Sequence, residues 1–393
     1  MVNVLIFSKG ALENGRGGEI SYIELAVGLK KYFNVSIMDS NVLLDNELLS
    51  EKVIQKKLNG VKKIERIYFA TLKILNRVIT IPYPWEIIKL YKKIKKYDII
   101  YTSLGNIKIN ILLIFFSLIN RRKKFIIRYN KPLSSNKILS LYNIKIILSI
   151  LLFSIFKRNF YHHTISKHIK KYLDRFYNPS NVIHIIHGVE LDNYKNNAIE
   201  VKSQEILNFI YVGHLDDIHK GLDVLIKAII NLLEENDELP VFFEFCGAGP
   251  LKKKIKELEH EYPKYVKYHG YVDNINIAKF YKKSDVFLFT SRREPFGRVL
   301  IEALAAGLLV ICSKTTGSIE ILKGKDFAFF LHELDFNLIK EKIIEIYNIW
   351  LKDPDKYMKL RELAKDYAFQ NYSVSQEILM FKDLINRISK NNV

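Results

Sequence analysis

The 393-residue sequence is poor in cysteine, with two, and in proline, methionine and tryptophan, with nine, four and two. Cys246 and Cys312 cannot build a disulfide framework and lack the close spacing of metal-binding thiols, which points to a reducing, cytoplasmic setting. Long apolar runs are missing as well. The two best, residues 110–119 (NILLIFFSLI) and 144–156 (IKIILSILLFSIF), fall short of the roughly 20 residues that a spanning helix needs. Each is followed by basic residues, Arg121 to Lys124 and Lys157-Arg158. As helices they are expected to be buried core; the alternative is an apolar face lying in a membrane interface with the basic residues at headgroup level. The opening MVNVLIFSKG has no basic stretch ahead of a long apolar segment and reads as a first strand, not a signal peptide.

Acidic residues are absent from a whole interval. Between Asp98 and Asp174 there is none, against 14 Lys and Arg. The chain carries +19 overall, but residues 1–190 hold 32 basic and 12 acidic side chains while residues 191–393 hold 29 and 30. Such a one-sided field attracts polyanions, either nucleic acid or the anionic surface of a membrane.

What is present is an ordinary folded composition, 49% apolar and 26% charged, on a chain long enough for two cores. Strand-like runs at 2–8, 35–39, 99–103, 125–129 and 182–186 are separated by amphipathic segments such as 19–32 and 85–96. A second series, at 209–212, 241–246, 266–269, 286–290 and 308–312, alternates with helical patterns at 222–234, 250–261, 275–283 and 298–306. This alternation predicts an α/β protein with two doubly wound parallel sheets, over 1–190 and 205–370, joined by the polar stretch 192–204. Residues 354–389 read as helical throughout, and 371–393 are expected to pack back on the first domain. In open α/β sheets ligands bind beyond the carboxyl ends of the strands, so chemistry is sought just after Ser8, Val212, Cys246 and Thr290.

The run from Arg293 to Ser313, REPFGRVLIEALAAGLLVICS, follows such a strand end. Glu294 falls in the loop, Pro295 suits a helix's first turn, Gly307 ends the helix, and Glu302 lies one to two turns inside it. Free amides at Phe296 to Val299 would form a positive helix end suited to phosphate, and a carboxylate beside phosphate makes sense when it binds hydroxyls. A lone pair of acidic residues there would only favour the helix dipole. The whole run, however, resembles the E-x7-E signature of retaining GT-B glycosyltransferases, family 4 (glycosyl transferases group 1) in particular. Tyr211-Val212-Gly213-His214 followed by Lys220-Gly221 is similar to that family's V-G-R-x5-K-G, Cys246-Gly247-Ala248-Gly249-Pro250 to its G-x-G-P loop, and Gly17-Gly18 to its N-terminal glycine pair. Residues 41–97 match none of the family's motifs.

The resemblance implies two Rossmann-like domains facing a cleft, a nucleotide-sugar donor (UDP- or GDP-sugar), and neither cofactor nor metal. Lys220 would pair with the donor diphosphate and neutralise charge on the leaving nucleotide. Glu294 would position the transferred sugar, Glu302 would hold the ribose hydroxyls, and the amides of Gly297, Arg298 and Val299 would hold phosphate. Gly247 and Gly249 would let the backbone approach the nucleotide base, and Gly17 and Gly18, in the first loop, would sit near phosphate or acceptor. His214 stands where the family usually has arginine. A neutral imidazole is a poorer diphosphate partner than a guanidinium fork, so donor affinity is expected to fall with rising pH, with Arg298 or Arg292 the candidates to compensate. Arg128 would face an anionic acceptor or be a plain surface arginine. His187-Gly188-Val189-Glu190 replaces the family's N-G-V-D.

His162-His163 and His168 lack metal-site geometry, since adjacent residues of a strand point to opposite faces, and Asp353-Pro354-Asp355 reads as a helix start. The function expected is transfer of a sugar to a glycan or glycolipid acceptor in cell-surface polysaccharide or glycolipid synthesis. The enzyme would work as a peripheral protein at the inner face of the cell membrane, its basic first domain on anionic lipid and no nucleic acid bound. The rival readings are a GT-B epimerase or phosphorylase and a non-catalytic polyanion-binding protein.

Overall fold

The computed structural model describes residues 1–9, 17–41, 58, 61–74, 77–82, 84–104, 107–129, 141–155, 159–195, 205–236, 238–273 and 276–390. The chain forms two compact units, Met1–Gly188 with Val374–Val393, and Val189–Ser373. The second unit begins at Val189, and the last helix, Val374–Lys390, clusters with the first unit.

Among the described residues the first unit is built on eight strands. These are β1 (Asn3–Lys9), β2 (Asn34–Asn41), β3 (Lys62–Ile74), β4 (Arg77–Pro82), β5 (Ile99–Ser103), β6 (Lys124–Tyr129), β7 (Phe160–Thr164) and β8 (Val182–His184). Their order is β4-β3-β2-β1-β5-β6-β7-β8. Every pairing is parallel except β3 with β4, an antiparallel hairpin at one edge. An antiparallel pair needs no crossover helix. That is why β4 follows β3 in sequence with no helical pattern between them.

Helices α1 (Gly17–Leu29), α2 (Pro84–Ile94), α3 (Ile107–Ile119), α4 (Leu141–Ile155) and α5 (Lys167–Leu173) join the strands. From β1 the chain steps one way along the sheet to β2, and from β5 the other way to β6 and β7. Right-handed crossovers therefore put α1 on one face and α3 and α4 on the opposite one. Packing agrees. Leu25 and Ala26 of α1 share a core with Val4, Ile6 and Tyr101 of the sheet and with Phe381 and Ile385 of the last helix. On the other face, Phe153 of α4 packs on Phe160 at 4.7 Å between ring centroids. Two expectations are corrected here. Gly17 and Gly18 form the first turn of α1 and not a loop before it. The two apolar runs, expected as buried core, are α3 and α4, and each buries only one face.

The second unit has six parallel strands among the described residues: β9 (Leu207–Val212), β10 (Val241–Cys246), β11 (Val266–Gly270), β12 (Val286–Phe289), β13 (Leu309–Cys312) and β14 (Ala328–Phe330). Their order, β11-β10-β9-β12-β13-β14, reverses between β9 and β12, the switch point at which open sheets bind ligands. The helices are α6 (Leu222–Glu235), α7 (Lys252–Glu261), α8 (Ile277–Lys283), α9 (Arg298–Ala305), α10 (Thr316–Leu322), α11 (Phe336–Lys352) and α12 (Pro354–Tyr372). Both sheets are doubly wound, as the alternation predicted.

A buried ion pair ties α12 to the sheet: Arg361 donates to Asp285 at 2.8 Å and to the Gly307 carbonyl at 2.8 Å. Asp353 caps α12 by accepting from the Lys356 amide at 3.1 Å, with Pro354 in its first turn. The helical stretch 354–389 is broken at Ser373, whose extended backbone forms a bridge with Val189. Among the described residues no helix is long and apolar enough to cross a membrane.

Candidate functional site

The loops that follow β9 and β12 meet at the switch point. After β9 the chain turns through Gly213 to Gly221 before α6 begins. Asp216 shapes this loop: its carboxylate accepts from the amides of His219 at 2.6 Å and Lys220 at 3.2 Å. Burial alone would raise its pKa, but these two amides outweigh it and hold the carboxyl below its usual range. The Lys220 carbonyl accepts from Thr290 Oγ1 at 2.9 Å, and the His219 carbonyl accepts from the Arg292 amide at 2.8 Å. The β9 loop is thus bonded along its length to the β12 loop, and Lys220 Nζ reaches Glu294 Oε2 at 2.7 Å.

Glu294 is held from its other side by the start of α10. Its carbonyl accepts from the Gly317 amide at 2.9 Å, and a Cβ on Gly317 would lie 2.2 Å from the Phe296 carbonyl oxygen. Thr315 and Ser318 cap that helix reciprocally. Gly297, left-handed at φ +95°, turns the chain into α9, whose first turn carries the amides of Arg298 and Val299. Pro295 therefore lies in the loop and not in the helix, because the left-handed turn at Gly297 delays the helix start. Glu302, half-buried inside α9, accepts from Tyr281 Oη at 3.4 Å. Tyr281 is buried, and burial followed by the Glu302 charge raises its phenol pKa well above the ordinary value, so its proton stays in place to donate.

Gly247 and Gly249 are needed for a reason within the protein itself. A Cβ on Gly247 would lie 1.9 Å from the Gly213 carbonyl oxygen, and one on Gly249 would lie 2.5 Å from that of Leu215. The β10 loop presses on the β9 loop, with Gly213 N donating to Cys246 O and Leu215 N to Ala248 O, each at 3.0 Å. His214 is exposed at the turn between them. Arg292 is not available to support it: its guanidinium forks onto Asp223 at 2.7 and 2.9 Å and also bonds the Asp217 carbonyl. Half-buried Arg298, in the first turn of α9, is the other cation named for that role.

Arg128 corrects the surface reading. It is 2% exposed, donates to Ser21 Oγ at 2.8 Å, and lies 5.0 Å from the centre of the Tyr22 ring. The histidine pair is also buried, one on each face of β7. His162 stacks on Tyr177 at 3.6 Å, and His163 bonds Tyr101 Oη at 2.9 Å. Among the described residues no three His, Cys, Asp or Glu converge as a metal site would require.

Of the residues named from sequence, the structure brings Lys220 and Glu294 into contact, sets Gly297 at the start of α9 and places Glu302 inside that helix. Sequence reasoning missed Asp216, Thr290, Gly317 and Tyr281, which shape the loops and meet Glu302. Only Asp216 carried a signal, an Asp placed to turn the chain back onto amides three and four residues ahead.

Residues 192–367 match the family glycosyl transferases group 1. An uncharacterized glycosyltransferase of Methanocaldococcus jannaschii is 26% identical over 250 residues, covering 58% of this chain and 56% of that protein. The capsular polysaccharide biosynthesis glycosyltransferase CapM of Staphylococcus aureus is 29% identical over 171 residues, covering 41% and 43%. The chain spans about half the length, or less, of the curated relatives it matches. Among solved structures, Anabaena Alr3699/HepE in complex with UDP and glucose shares the fold, with a TM-score of 0.71 at 17% identity over 98% of this chain and 100% of that one.

Proposed function

We propose that this chain, similar over residues 192–367 to glycosyl transferases group 1, moves a sugar from a nucleotide donor to a glycan or lipid-linked acceptor with retention of configuration. The observation that carries the reading is the Lys220–Glu294 bond of 2.7 Å at the switch point, beside the first turn of α9. Donor binding would exchange that bond for two others. Lys220 turns to the diphosphate, and Glu294 turns to hydroxyls of the sugar. The amides of Arg298 and Val299 take phosphate oxygens, and Glu302 takes the ribose. Charge on the leaving nucleotide is then met by a lysine and a helix end, so the chemistry calls for no metal.

UDP is the base to try first, since the solved neighbour was crystallised with UDP, and GDP is second. A capsule-synthesis relative supports a cell-surface glycan or glycolipid as product. The place of action proposed is the cytoplasmic side of the membrane. A thermal-shift panel of UDP, GDP, ADP and their sugars tests the donor assignment. One nucleotide series is expected to stabilise the parent by about 2.7 kcal/mol at a hundredfold excess over Kd, and to lose that effect in Lys220→Ala. If no nucleotide raises Tm, the donor assignment is wrong.

A further inference from the structure

Helices α3 and α4 bury polar groups and carry an apolar outer face. On α3 the inward side includes the polar Asn110 and Ser117, both nearly fully buried. The outward side carries Ile111, Phe115, Leu118 and Ile119, all 51–53% exposed. Spacings of three and four residues place these in one stripe. On α4, Ser149 is buried while Leu148, Leu151 and Ile155 are exposed, the last to 70%. The buried polar groups tie the two helices together, since Asn110 Nδ2 donates both to Ser149 Oγ and to the Leu104 carbonyl at 3.2 Å. The two stripes therefore stand side by side. A helix whose outer face meets water keeps that face polar, and a contiguous apolar face marks an interaction surface.

Charge identifies the partner. Arg121 and Arg122, both exposed, follow α3 directly. The sequence around them, from Asp98 to Asp174, has no acidic residue between those two. A second copy docked face to face would bring like charge onto like charge. Helices of 13 and 15 residues, about 20 Å long, are too short to cross a bilayer but fit lying in its surface. We infer that the α3–α4 face docks on an anionic lipid surface, with the apolar stripes among the acyl chains and Arg121 and Arg122 at the headgroups. The inference rests on the proposed function only for the acceptor, which as a lipid-linked glycan would lie in the same surface.

Flotation of the full chain with vesicles of phosphatidylcholine alone, and of phosphatidylcholine mixed with phosphatidylglycerol, tests this. Recovery is expected with the mixed vesicles at low salt and to weaken as salt is added. Phe115→Ser with Leu151→Ser should lower partition by about tenfold or more, and Arg121→Gln with Arg122→Gln by about fivefold for each arginine. Nucleotide stabilisation, read on the same variants, should be unchanged, which shows that they fold. Equal recovery with neutral and mixed vesicles overturns the inference, as does a serine pair that floats like the parent. So does a dimer formed without lipid and broken by the serine pair, which would assign the face to a second copy. A parent that floats yet binds no nucleotide sinks the transferase reading and leaves the docking face standing.

Discussion

In the second unit the charged groups of consequence stand at strand ends. Lys220 and Glu294 face each other across two loops, and the loops are fixed by backbone contacts too close for any residue but glycine at positions 247, 249 and 317. In the first unit polar groups lie inside. Arg128, Tyr101, His162 and His163 are buried around the sheet, Asn110 and Ser149 are buried between α3 and α4, and those two helices turn leucine, isoleucine and phenylalanine outward. Two sheets of the same plan thus carry surfaces of different character. On the proposed function, one presents rigid polar loops to a small charged ligand. The other turns an apolar, cation-flanked face outward. A site made of backbone geometry fixes residue spacing, whereas a surface that meets lipid fixes only average character.

The largest expected effect separates these two surfaces. Glu294→Ala should lower the rate of sugar transfer by about a thousandfold, the scale seen when one group that stabilises the transition state is removed. It should leave vesicle flotation unchanged. Phe115→Ser with Leu151→Ser should do the reverse, sparing transfer to a soluble acceptor. If Glu294→Ala retains transfer, the division of labour fails on the second unit's side. Next in size is Arg361→Met, which leaves Asp285 buried without its guanidinium. Removing one partner of such a pair costs about 3 kcal/mol, read as a lower urea midpoint. Nucleotide protection of the second unit should weaken with it, because Asp285 lies at the foot of β12.

These contrasts also explain how far the sequence could be read. The alternation of strands and helices was legible because fully buried parallel strands such as VFLF are apolar on both faces. The switch-point residues were legible because their spacing follows a strand end and a helix start. Arg128 was not. A lysine- and arginine-rich stretch suggests surface, and nothing local says that one of its members bonds Ser21, more than a hundred residues away. The β3–β4 hairpin escaped because its pattern lacks a helix, and Gly317 because its partner, the Glu294 loop, is close only in the fold. The inward asparagine and outward phenylalanine of α3 have the composition of a core helix. Only burial tells which way it faces.

A third test concerns acid. Burial lowers the pKa of His162 to about 3 and that of His163 well below its ordinary value, the latter helped by the Arg128 charge. The unfolded chain takes up these protons near pH 6.5, while the folded chain refuses them until much lower pH. Stability that is complete above pH 6.5 is therefore lost as pH falls toward 3, by about 1.4 kcal/mol per pH unit for each histidine. The histidines described in the second unit are exposed or half-buried, so the acid-labile half should be the first. Urea midpoints at pH 7 and 5.5 should differ less in His162→Phe than in the parent. An unchanged difference would show that the acid response arises elsewhere.

The smallest effect is the most discriminating for the first unit. If α3 and α4 were ordinary core helices, replacing buried Asn110 by leucine would remove a misplaced amide and raise stability. If they are helices with an apolar exterior, the amide is what joins them. Its Nδ2 supplies both Ser149 and the Leu104 carbonyl, and no hydrophobic side chain can do so. Losing those partners should cost about 1 kcal/mol, with leucine no better than alanine at that position. Vesicles sharpen the reading. Flotation should persist in Asn110→Leu, because the outer stripes remain, but it should fall if the two stripes no longer lie in one plane. A leucine variant more stable than the parent would mean that the inner polar face is incidental, and the contrast between the two units would then rest on charge alone.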